Sequence, residues 1–204
     1  MIAIIDYEIG NLAAIKNMYK RIGIDCLITS NPKEIEDAER LILPGNGSFD
    51  ACMLSLRDTG LIPLITHKVL ERKTPMLGIC IGAQMLGNNS EEGVEAGLGW
   101  IDLSVKRLPS SQEIRIPHMG WSHVKSEVSD DALNEVLNDE ARFYFVHSYY
   151  LDPISRDNIL MTANYGIQFA AAVRKDNIVG VQFHPEKSHR FGKQFLSWFA
   201  KASL

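Results

Sequence analysis

Met76-Leu77-Gly78-Ile79-Cys80-Ile81-Gly82-Ala83-Gln84 is the stretch on which the reading of the fold turns. Residues 76–79 are an apolar run of strand length. Gly78-Ile79-Cys80-Ile81-Gly82 follows at its carboxyl end. It is the thiol counterpart of the Gly-x-Ser-x-Gly turn that carries a nucleophile from a strand into a helix. The glycines have a steric reason: at so tight a turn, side chains two residues to either side collide. A helix starting there offers free N–H groups and a positive dipole end, which stabilise negative charge. Cys80 is therefore a candidate nucleophile, and the Ile81 N–H a candidate oxyanion donor. Cys80 alone also fits a small buried side chain among packing glycines.

Upstream, short apolar runs alternate with helical periodicity. Residues 2–5, 24–29 and 40–43 read as strands. Asn11 is placed to cap a helix carrying Leu12, Ile15, Met18, Tyr19 and Ile22, stopped at Gly23. Ser30-Asn31-Pro32 reads as a turn. Pro44-Gly45-Asn46-Gly47 follows the third strand, then helices run to about Asp58 and from Leu61 to Glu71. Strand–helix alternation of this kind indicates parallel βαβ units. Beyond Asn88 the pattern changes to strand-like runs at 98–108, 114–125, 143–150, 159–165, 168–174 and 178–183. Turn-like pairs such as Asp157-Asn158 and Asp176-Asn177 separate several of them. An amphipathic helix, Arg190–Lys201, closes the chain with Phe191, Phe195, Leu196 and Phe199 on one side. The expectation is an α/β fold of flavodoxin-like character. Its central sheet is mixed and mostly parallel, with flanking helices and an antiparallel extension, in a single domain over residues 1–204.

Composition narrows the function. The chain has 204 residues, 46% of them hydrophobic and 23% charged, which is ordinary for a folded globular protein. Its 21 basic against 25 acidic residues give a net charge of −4, so no basic nucleic-acid footprint is expected. No apolar run approaches the length of a membrane span. The N-terminus lacks the pattern of a signal peptide. Three cysteines, Cys26, Cys52 and Cys80, are too few and too scattered for a disulfide framework or a zinc site. A cytoplasmic protein without metal or cofactor is the expectation.

A cysteine nucleophile needs a base, and the base needs a partner that fixes its tautomer. Gly180-Val181-Gln182-Phe183-His184-Pro185-Glu186 supplies both. His184 and Glu186, two residues apart, point to the same side in extended chain. Pro185 fixes one φ and biases His184 towards extended geometry. On its own His-x-Glu also fits a structural pair at a strand end. Together with the Cys80 turn it reads as a Cys-His-Glu triad. His67 reads as solvated, and His118, His123, His147 and His189 have no metal-ligand spacing.

These motifs resemble the class I (triad) glutamine amidotransferases. Four further stretches are similar to the glutaminase subunits of imidazole glycerol phosphate synthases: Asp6–Asn11, Pro44–Phe49, Pro117–Trp121 and Phe145–Tyr150, with Lys187-Ser188 after His-Pro-Glu. The resemblance runs the whole length. It implies that Cys80 attacks the glutamine carboxamide, that His184 serves as acid and base, and that Glu186 orients His184. It implies an oxyanion hole from Ile81 and the Gly45-Asn46-Gly47 loop, and places Gln84, Glu92, Ser148 and Tyr149 around glutamine. The implied partner, in a heterodimer, is a (β/α)₈-barrel cyclase that uses the ammonia to make imidazole glycerol phosphate and AICAR in histidine biosynthesis. The sequence departs from the pattern at Glu8, Asn46, Ala83 and Ser122, where Gly, a small apolar residue, Met and Asn are usual. A paralogue feeding another synthase, such as one aminating a sugar precursor, and an inactive partner-binding scaffold are the alternatives.

Overall fold

The computed structural model describes residues 1–110, 114–128, 133–134 and 140–204. The four short apolar runs are strands β1 (Ile2–Ile5), β2 (Cys26–Thr29), β3 (Arg40–Leu43) and β4 (Met76–Ile79). They lie parallel in the order β2-β1-β3-β4. Parallel strands need crossovers. These are α1 (Leu12–Arg21), α2 (Pro32–Asp37) and the pair α3 (Phe49–Asp58) and α4 (Ile62–Thr66), the last continuing as a π-helical turn over His67–Glu71. α5 (Ile81–Met85) starts directly after Cys80.

The second half builds β5 (Asn89–Ser90), β6 (Leu103–Arg107), β7 (His118–Ser126), β8 (Arg142–His147), β9 (Tyr149–Pro153), β10 (Ile159–Tyr165), β11 (Ile167–Lys175) and β12 (Ile178–Val181). β12 lies parallel beside β4, with Val181 opposite Ile79. From there the order β12-β11-β10-β7-β8 is antiparallel throughout. β9 and β6 pair beside β11, and β5 joins β6. The fold is α/β with a mixed sheet: a parallel core and an antiparallel extension. α6 (His189–Lys201) covers the sheet with Phe191, Phe195, Leu196 and Phe199 buried, as its periodicity requires.

Four local readings change. Ser30-Asn31-Pro32 opens a helix: the Asn31 side chain accepts from the Lys33 N–H at 2.9 Å, and Pro32 takes the first turn. Among the described residues, the Asn11 side chain makes no capping bond to α1. The run 143–150 breaks at Ser148, because β8 pairs with β7 while β9 pairs with β6. Of the run 98–108, only Leu103–Arg107 is strand. Beside half-exposed His67, Lys68 is buried, its ammonium donating to the carbonyls of Glu36 and Ala38 at 2.6 and 2.9 Å.

The strand order positions the site. β1 is flanked by β2 on one side and β3 on the other, so the crossovers around it leave in opposite directions. A crevice opens at the carboxyl ends of such strands. The segments after β1, β3, β4 and β12 all meet there.

Candidate active site

Cys80 sits between β4 and α5 with φ 56° and ψ −111°. A non-glycine residue rarely holds that conformation, and it is retained only where the surroundings enforce it. Its N–H is tied to the Val181 carbonyl of β12 at 2.8 Å. The glycines do what the sequence reading asks. A Cβ at Gly82 would lie 1.9 Å from the Leu43 carbonyl oxygen, and one at Gly78 would lie 2.7 Å from Ala83 Cα. Ala83 is fully buried with its Cα over Gly78. Ile81 is the first residue of α5, so its N–H has no intrahelical partner.

His184 follows β12. Its N–H donates to the Tyr144 carbonyl at 2.9 Å and its carbonyl accepts from the Ser188 hydroxyl at 2.6 Å. His184 Nδ1 and Glu186 Oε1 are 2.8 Å apart, both side chains buried. Extended chain gives way here to a 3₁₀ turn over Pro185–Lys187, which swings the carboxylate onto the ring. Burial opposes charge on this imidazole. The Cys80 sulfur and the Glu186 carboxylate outweigh it and raise His184 to about 10. Its Nε2 is buried and faces the Cys80 sulfur, with no nitrogen or oxygen partner among the described residues.

The loop after β3 lies against the elbow. A Cβ at Gly45 would come 2.5 Å from the Gly82 nitrogen. Two carbonyls of the loop are held from behind: the Tyr7 hydroxyl donates to Pro44 O, and the Cys52 thiol to Asn46 O at 3.3 Å. The Gly45–Asn46 peptide between them carries no hydrogen bond among the described residues. Gly47 has a φ of 94°, whereas Asn46 is outside the left-handed region.

A cleft of about 490 Å³ is lined by Cys80, His184 and Glu186, by Gly45, Asn46, Gly47 and Ile81, and by Gln84, Glu92, Ser148 and Tyr149. All eleven candidate site residues therefore line one cleft, whereas Glu8, Ala83 and Ser122 do not. Glu92 also accepts the Phe49 N–H at 2.8 Å, tying the cleft wall to the start of α3. Gln84 Oε1 is buried without a partner among the described residues. The sequence reading missed two groups. Gln182 Nε2 lies 3.8 Å from the Cys80 sulfur, and the His147 ring bonds to the Tyr149 carbonyl. The signal for Gln182 was a lone amide in an apolar strand end, two residues before His184.

Such a fold and cleft fit an enzyme that works on a carboxamide, and the comparisons show the family. The family model described as "Glutamine amidotransferase class-I" matches residues 3–202, and the chain belongs to that family. It is 48% identical over 201 residues to imidazole glycerol phosphate synthase subunit HisH 2 of Pseudomonas aeruginosa, covering 98% of this chain and 99% of that one. It is 51% identical to subunit HisH 2 of Methanococcus maripaludis over the same shares. Among solved structures, PurLQS from Thermotoga maritima superposes with a TM-score of 0.75 at 18% identity, covering 98% of this chain and 96% of that one, a likeness of fold.

Proposed function

We propose that the chain is the glutaminase subunit of an imidazole glycerol phosphate synthase, hydrolysing glutamine to glutamate and ammonia in the cytoplasm. The observation that carries this is the His184 ring. Nδ1 is pinned to a buried carboxylate, and the buried Nε2 has the Cys80 sulfur as its neighbour and no nitrogen or oxygen partner among the described residues. The Cys80 sulfur attacks the side-chain carbonyl carbon. The imidazolium gives its Nε2 proton to the departing nitrogen, and ammonia leaves a glutamyl thioester. His184, now neutral, takes a proton from the water that attacks the thioester, and glutamate and the sulfur anion separate. Glu186 keeps Nδ1–H in place throughout. Gln84, Glu92, Ser148 and Tyr149 hold the substrate.

The oxyanion is met by the Ile81 N–H and by one from the 45–47 loop. The Gly45–Asn46 peptide is the unpinned one, so its orientation sets whether the second donor is present. One missing donor costs about 10²–10³ in rate. A (β/α)₈-barrel cyclase that binds one loop state better than the other shifts that balance and so couples hydrolysis to an acceptor. Exposed Met119 and Trp121 on β7 offer it an apolar surface. A second reading keeps the chemistry but changes the acceptor to that of another synthase. It draws on the numbering of both relatives above as a second HisH.

The test is the glutamine hydrolysis rate of the subunit alone, with the cyclase, and with cyclase plus its substrate. The expected rise is about 10²–10³ in the last condition, lost in Cys80→Ala while complex formation persists. Equal rates in all three conditions refute the coupling. Activity retained in Cys80→Ala refutes the nucleophile.

A further inference from the structure

A chain of hydrogen bonds runs from β7 to the Cys80 sulfur, and one backbone carbonyl fixes its polarity in both directions. Tyr149 O lies 2.8 Å from His147 Nδ1 and 3.2 Å from Gln84 Nε2. A carbonyl only accepts, so both neighbours present N–H. Burial lowers His147 to about 3 and His118 to about 4, so both rings are neutral. With its proton on Nδ1, His147 accepts at Nε2, and His118 Nδ1 donates to it at 2.9 Å. His118 Nε2 then accepts from the Ser122 hydroxyl at 2.9 Å. Both imidazoles are thereby held as Nδ1–H tautomers.

In the other direction, Gln84 spends one amide hydrogen on Tyr149 O and the other on Gln182 Oε1, at 3.2 Å. The Gln182 oxygen therefore faces Gln84, and its nitrogen faces the Cys80 sulfur at 3.8 Å. Turning the amide over would set nitrogen against nitrogen and oxygen against a sulfur anion. Gln182 is fully buried. Extending the β12–β4 register by one residue sets it opposite Cys80.

We propose that Gln182 donates an N–H to the Cys80 sulfur anion, that Gln84 holds its amide in the donor orientation, and that His147, held in turn by His118, anchors the Tyr149 carbonyl to which Gln84 donates. This rests on reading Cys80 as the nucleophile. A contact of 3.8 Å is long for a neutral thiol and tightens when the acceptor becomes charged. The titratable groups facing the sulfur are His184, Tyr7 and Cys52. His184 supplies the charge. Gln182 adds a neutral donor that remains after His184 has given up its proton.

The experiment follows alkylation of Cys80 by iodoacetamide against pH, by mass spectrometry, in the wild type, Gln182→Met and Gln182→Glu. Cys26 and Cys52, each pushed up to about 11 by burial, are slow internal comparators. On the acidic limb of the wild-type profile, Gln182→Met should react about tenfold slower, a displacement of about one pH unit. Gln182→Glu should be slower still, because it sets a carboxylate oxygen against the sulfur. A second measurement needs no variant: ¹⁵N spectra of histidine-labelled protein should show His118 and His147 protonated at Nδ1. A Gln182→Met profile superimposed on the wild type overturns the proposal, as does an Nε2–H tautomer at His147. Glutamine hydrolysis surviving in Cys80→Ala would instead overturn the nucleophile on which it rests.

Discussion

Lowering the pH from 7 to 4.5 should cost this protein more stability than its carboxylates account for, because of His118 and His147. Both rings are buried, at 2% and 5% exposure, and bonded to each other. An unfolded histidine takes up its proton near 6.5, whereas His118 resists to about 4 and His147 to about 3. Between those values the unfolded chain holds two more protons than the native one. Stability therefore rises with pH, at about 2.7 kcal/mol per unit. From pH 7 to 4.5 the pair removes roughly 5 kcal/mol, which rivals the whole stability of many domains. His184 has the opposite sign. Its raised value contributes stability that is fully present below 6.5 and lost as the pH climbs from there through about 10, so within this window it opposes the pair only near pH 7.

The assay is urea unfolding at pH 7, 6, 5 and 4.5, comparing the wild type with the double variant His118→Leu/His147→Leu. Replacing both partners leaves no half-satisfied ring. The wild type should lose stability more steeply, by close to two protons per molecule. Slopes differing by less than half a proton would refute the reasoning, since the rings would then be titrating in the native state.

Glu186→Gln leaves the His184 ring a neutral partner, so kcat of the partner-activated glutaminase should fall about 10²–10⁴, with KM for glutamine nearly unchanged. A kcat within tenfold of wild type would show that the 2.8 Å contact is only structural. Glu8 holds a φ of 68°, which a side chain resists and glycine does not. Glu8→Gly should therefore stabilise the protein by about 1 kcal/mol and raise Tm by roughly 2–4 °C, read by calorimetry, and an unchanged or lower Tm contradicts it.

Legibility followed locality. The Gly-x-Cys-x-Gly turn and the His-Pro-Glu run could be read because their constraints lie within a few residues: collisions at Gly78 and Gly82, and the reach of Glu186 to His184. The helix at Pro32–Asp37 was hidden because Asn31-Pro32 serves equally as a turn and as a cap with Pro in the first turn. The break at Ser148 was hidden because β8 and β9 form one apolar run, and only their different partners divide it. His118 and His147 are 29 residues apart, and nothing local distinguishes a ring bonded to another ring from a solvated one. Gln182 lay in plain view, but its role depends on the neighbour that strand register gives it.

That register explains why Cys80 and His184 meet in one cleft. Cys80 and His184 are distant in sequence, and β12 brings them together because it runs parallel to β4, with Val181 opposite Ile79. Parallel pairing sets both strand ends on the same edge of the sheet, so Cys80 and His184 emerge side by side. The other edge of β12 is antiparallel to β11, beyond which lie β9 and the chain of bonds through Tyr149. The parallel half thus supplies the Cys80 turn and the Pro44–Gly47 loop, and the antiparallel half supplies Ser148, Tyr149 and the histidine pair behind them. A positive φ at Cys80 is a strained conformation of order 1–3 kcal/mol. It is held at this seam because a bond to Val181 and the close approach of Gly82 to Leu43 leave the backbone no relaxed alternative.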